Sequence, residues 1–100
     1  MKHISRKMVA RVLNEVESPF DAHMIERRIL RLETVAVANE LLEYQYTDTL
    51  QQFSAAFASW ISRTFVGQIR KTRKVMSDNL GGRECANQEW VKTNPGTSIT

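Results

Sequence analysis

The chain reads as an all-α protein, a compact bundle of about four helices with one long aromatic-rich helix and an irregular C-terminal tail. Apolar residues recur at three- and four-residue steps from Ile4 to Met76, the spacing that places them on one side of a helix. No pair of alternating segments joined by a hairpin signal stands out, and a solitary strand would leave its backbone groups unpaired. One hundred residues with 42% hydrophobic and 25% charged content suit a single domain, which would bury roughly two-thirds of its unfolded surface.

Ile4, Met8, Val9, Val12, Leu13 and Val16 form the apolar side of a first amphipathic helix, opposite Lys7, Arg11, Asn14 and Glu15. Ser18, Pro19, Phe20 and Asp21 read as a stop and a new start, with Ser18 and Asp21 approximating a capping box. Met24, Ile25, Ile29, Leu30 and Leu32 supply the core side of a second helix, and Glu26, Arg27, Arg28 and Arg31 its wet side. A break is expected near Glu33, with Thr34 as the cap of a third helix. Val35 to Ala38 alternate as a short strand would, yet Val37, Leu41 and Tyr44 fall on one helical line, and helix is the expectation through Tyr46.

The longest element runs from Thr47 to Asn79. Leu50, Phe53, Phe57, Ile61, Phe65, Ile69, Thr72, Val75 and Met76 share one broad side of a helix capped by Thr47 or Asp48. Asn79, Gly81 and Gly82 tolerate the left-handed backbone that closes helices. The expected division is therefore a helical domain over residues 1–82 and a docking segment with a flexible tail over 83–100, anchored by Trp90.

Charge is unevenly spread. Residues 32–62 contain no Lys or Arg and four acids, whereas residues 63–83 contain six Lys or Arg against one acid, within an overall net charge of +3. Such polarity favours oriented association with a polyanion or with a charge-complementary protein. On a helix, Arg63, Arg70 and Lys74 would align opposite the apolar side with Lys71 and Arg73 beside them, and Trp60 at the edge of the stripe could stack on a base or a partner side chain. Part of that charge also suits the negative end of a helix dipole. Arg27, Arg28 and Arg31 make a secondary basic patch, which a helix-turn-helix would set near phosphates.

No catalytic pattern emerges. His23 and Glu26 do not make a paired-histidine metalloprotease motif, Cys85 is the only cysteine, and Gly81–Gly82 follow no strand signal and precede no Lys-Ser or Lys-Thr. Ser54, Ser59 and Ser62 lack triad partners. The expectation is a non-enzymatic protein with no metal site and no cofactor. No apolar run approaches membrane-spanning length and no secretory leader is evident, so a cytoplasmic location without membrane association is expected. The leading functional expectation is a small regulatory module acting by stoichiometric protein–protein association, with self-association included, in the manner of a phage-type inhibitor of a nucleic-acid-handling complex. The alternative is DNA or RNA binding, with the basic stripe on phosphates.

Overall fold

Ser5 opens the first helix, its Oγ accepting from the Met8 amide at 3.2 Å, and α1 (Arg6–Glu15) buries Val9, Ala10, Val12 and Leu13. The computed structural model describes residues 1–100. It corrects the all-α expectation: four helices share the fold with a three-stranded antiparallel sheet.

After α1 comes β1 (Phe20–Asp21), then α2 (Ala22–Leu32). Asp21 alone caps α2, accepting from the Met24 amide at 2.8 Å. Ser18 is not part of a capping box; its Oγ accepts from the Lys92 amide at 2.9 Å and ties the turn to the last strand. The chain breaks at Glu33, and α3 (Thr34–Leu42) takes Val35–Ala38 as helix. Thr34 does not cap it: the hydroxyl donates back to the Leu30 carbonyl at 2.7 Å, the local bond Thr makes inside helical turns. Buried Glu40 holds the N-terminal segment in place, its Oε1 accepting from the amides of His3 and Ile4 at 2.6 and 3.1 Å.

The long helix expected over 47–79 ends far earlier. α4 (Thr49–Thr64) buries Phe53, Phe57 and Ile61, and Phe65 is its C-cap. Gly67 then adopts φ +86°, where a side chain would be strained, and the chain turns into β2 (Ile69–Asp78). Thr72 and Met76 are exposed and Val75 only half-buried, so the helical spacing beyond Ile69 is coincidental. Asn79 and the glycines close a hairpin rather than a helix: Asn79 Oδ1 accepts from the amides of Gly81 and Arg83 at 2.9 and 3.1 Å, and Gly82 lies at φ +78°. β3 (Glu84–Lys92) returns antiparallel to β2. Non-local pairing thus overrides a helix-compatible pattern in β2.

The strand order is β1–β3–β2, so β3 is central. Phe20 and Lys71 both stand opposite Trp90, and a bulge lies between Lys71 and Lys74 in β2. The expected irregular tail is therefore corrected too: 84–92 is a strand, Trp90 is fully buried, and Ile99 is buried with its backbone bonded both ways to the Asn14 side chain at 2.8 and 2.9 Å.

The core lies between the sheet and the helices. Phe53, Phe57, Trp60 and Phe65 follow one another with ring centroids 5.4, 6.1 and 6.2 Å apart, and the Arg6 guanidinium lies 5.1 Å from the Phe65 centroid.

Candidate nucleic-acid interface

The three buried positions of α4 fix what its other side presents. With Phe53, Phe57 and Ile61 inward, Gln51, Gln52, Ala55 and Ser59 are exposed. No charged residue occurs from Thr49 to Ser62. A solvated helix surface ordinarily carries Lys, Arg and Glu, so an outward side made of amides and small groups is unusual.

The hairpin of β2 and β3 stands beside this helix. Its tip comes close to the first turn of α4, since a Cβ on Gly81 would lie 2.8 Å from Leu50 Cδ1. Between the two runs a cleft of about 760 Å³, lined by Gln51, Ser54, Ala55 and Ala58 from α4 and by Lys74, Arg83, Cys85, Asn87 and Gln88 from the hairpin. His23, at the start of α2, also lines it.

The polar groups around His23 are mostly satisfied within the protein. Its Nδ1 lies 3.0 Å from the Ser77 carbonyl and 3.1 Å from Ser77 Oγ, and burial lowers its pKa, which favours the neutral ring donating from Nδ1. Nε2 is then the acceptor facing Cys85 Sγ at 3.8 Å. Asn87 Oδ1 accepts from the His23 amide at 2.9 Å, and its amide nitrogen donates to the Val75 carbonyl and Ser77 Oγ at 3.1 and 3.0 Å. This network welds α2 to the hairpin. Next to it, Ser54 Oγ of α4 donates to Glu26 Oε1 of α2 at 2.9 Å, while Glu26 Oε2 is buried with no partner. Burial, opposed by the Ser54 bond and by Arg27, pushes the Glu26 carboxyl up to about 7.

The basic residues are placed differently from a helical stripe. Arg70, Lys71, Arg73 and Lys74 all lie on β2 and all are exposed. Arg73 Nε is 3.3 Å from Glu89 Oε2, an oxygen that also accepts from Thr72 Oγ1 at 2.6 Å, so part of its charge is balanced locally. Lys74 joins Arg83 at the cleft. Arg27 meets the end of β2, its guanidinium donating to the Asp78 carbonyl, while Arg28 and Arg31 are exposed on α2.

Arg63 and Trp60 belong elsewhere. They line a shallower hollow of about 350 Å³ with Lys2, Glu40, Glu43 and Tyr44. Arg63 Nη1 donates to Ser59 Oγ at 2.6 Å, and Trp60 is held between Phe57 and Phe65. The structure therefore groups Lys74 with Arg83 and leaves Arg63 apart from them. Gln51, Gln52, Ala55 and Arg83 are not among the residues that the sequence alone singles out. The absence of charge from Thr49 to Ser62, along the exposed side of α4 up to its last turn, is the signal that could have found the first three. Comparison with known proteins finds no matching family model, no matching curated protein and no matching solved structure.

Proposed function

We propose that the protein binds duplex nucleic acid, with α4 entering a groove and the β2–β3 hairpin lying along the phosphates. The observation that carries this reading is the pairing of an uncharged, small-residue helix side with an adjacent strand bearing four exposed cations. An α-helix is about as wide as the major groove of B-form DNA, and small side chains let its backbone approach the base edges. Cations alongside supply affinity through counterion release. The order of elements supports the same reading: α2 and α3 lead into an exposed α4, then a hairpin whose last strand pairs with β1, which is the layout of a helix-turn-helix flanked by a β-wing. Arg63, Arg28 and Arg31 are secondary in this arrangement, and Trp60 takes no part in it.

Substituting Lys71, Lys74 and Arg83 together with alanine is expected to flatten the dependence of log K on log salt, by roughly 0.9 for each phosphate of duplex DNA that is no longer neutralised. Anisotropy titrations at several salt concentrations measure the slope. An unchanged slope would remove the hairpin from the interface.

Stoichiometric association with a protein is a second reading, and one observation favours it. Val35 and Leu42 of α3, with Tyr46 beyond it, are exposed large apolar groups in the acidic part of the chain. If that surface serves a protein or a second copy of the chain while α4 serves the duplex, Val35→Lys with Leu42→Lys should leave duplex affinity within about twofold, as for a neutral exterior change. A large loss of duplex affinity would instead make α3 part of the nucleic-acid surface.

A further inference from the structure

The outward side of α4 carries two carboxamides where a phosphate-binding surface would carry cations. Neither the Gln51 nor the Gln52 side chain has a hydrogen-bond partner inside the molecule, although both begin the helix that the hairpin tip braces. Gln68 and Gln88, within or beside the sheet, are committed: Gln68 bonds both the carbonyl and the amide of Thr100, and Gln88 donates to the carbonyls of Arg73 and Glu89. One turn after Gln51 stands Ala55, exposed and offering only a methyl group.

We infer that this side of α4 selects A·T base pairs in the major groove, with Gln51 and Gln52 reading adenine and Ala55 packing on a thymine methyl. The inference rests on the duplex-binding reading above. A carboxamide holds a donor and an acceptor in one plane, which matches the N7 acceptor and N6 donor of adenine. Guanine presents two acceptors at the same edge, N7 and O6, so a glutamine would set its own oxygen against O6. The residues that suit guanine, Arg and Lys, are absent from α4 until Arg63, four positions beyond Ser59 and over a different hollow. Gln51 and Ala55 are separated by about 6 Å along the helix axis, which covers one to two base steps. Both readers thus reach neighbouring pairs without moving the helix.

Selection of bound duplexes from a randomised library by the full chain, followed by affinity measurements at fixed salt, tests this. The expected result is enrichment of A·T pairs over a short window and a loss of about tenfold or more when an enriched A·T pair is exchanged for G·C. Replacing adenine by 7-deazaadenine, which lacks the N7 acceptor, should weaken the wild type in the same way and have no further effect on a folded Gln51→Ala/Gln52→Ala variant. Uracil in place of thymine should weaken the wild type through the missing methyl. That variant should retain salt-dependent binding with the discrimination gone. Duplex binding without base preference, a G·C preference, or indifference to 7-deazaadenine would overturn the inference while leaving duplex binding intact. Failure to bind any duplex would overturn both.

Discussion

Trp90→Ala is expected to destabilise the protein by about 3 to 5 kcal/mol, the range for deleting a large buried aromatic side chain. Trp90 is fully buried in the central strand, its ring centroid 6.0 Å from that of Phe20 and its Nε1 donating to Ser62 Oγ of α4 at 3.1 Å. One side chain therefore joins all the parts that must meet: β1 through Phe20, β2 through the register with Lys71, and α4 through Ser62. Truncation would open a cavity at that junction and leave a hydroxyl without its donor. Ser62→Ala removes the hydrogen bond without the cavity, leaving the buried indole N–H without its acceptor, and should cost about 1 to 3 kcal/mol. Urea unfolding followed by circular dichroism reads both. A Trp90→Ala effect below about 1 kcal/mol would mean that the sheet docks on the helices without this anchor, since such a value is ordinary for an undistinguished substitution. The same variant bears on function. The hairpin cations are held beside α4 by the sheet, so if the chain binds duplexes as proposed, loosening β3 should weaken that binding before the chain unfolds.

What is legible in the sequence depends on which residues have local reasons for their structure. α1 and α2 are readable because Val9, Val12, Leu13, Ile25 and Ile29 repeat at helical spacing and short polar caps precede them. The break expected near Glu33 is found there, but without the expected cap, since the Thr34 hydroxyl bonds back to the Leu30 carbonyl. β2 is not, because Ile69, Val75 and Met76 also fit a helical spacing, and what makes the segment a strand is its non-local pairing with residues 84–92. Neither half of that hairpin announces itself: Thr72 and Arg73 fall at a bulge that breaks the two-residue alternation, and Asn87, Gln88 and Glu89 are buried polar residues in a row. Their burial makes sense only once Val75, Ser77, Arg73 and Thr72 are beside them to bond with. The strand carries the basic residues with it, so a helical spacing sets Lys74 next to Arg63 when it lies across the cleft with Arg83. The cations themselves are visible in the sequence; their neighbours are not. The exposed side of α4 is legible in principle, since once Phe53, Phe57 and Ile61 are placed inward the positions of Gln51, Gln52 and Ala55 follow.

Stability should fall as pH rises from about 4.5 to about 7, and the cause is Glu26. Its side chain is fully enclosed between α2 and α4, one oxygen accepts from Ser54, and the other has no partner at all. An ionised carboxylate there lacks both water and a counter-charge at bonding distance, so burial raises its pKa from the ordinary 4.5 to about 7 despite the opposing pull of Ser54 and Arg27, with Asp21 adding to the rise. Between those two values the folded state holds a proton that the unfolded chain releases. The contribution is complete below the unfolded value, is lost as pH climbs through the folded one, and is constant above it. The total loss is on the order of 3 kcal/mol, which is a large share of a small domain's margin. His23 acts in the opposite sense, because burial lowers its pKa and stability therefore rises as pH climbs toward the ordinary value of 6.5. The two can be separated by Glu26→Gln, which removes only the falling component. Urea unfolding of wild type and Glu26→Gln from pH 4.5 to 8 is expected to show a decline in the former and a flat or rising curve in the latter. Parallel curves would place the carboxyl in contact with water. Because Ser54 sits on the helix that carries Gln51 and Ala55, ionisation of Glu26 strains the seam that positions the proposed reading surface, and duplex affinity should weaken over the same pH range in the wild type alone.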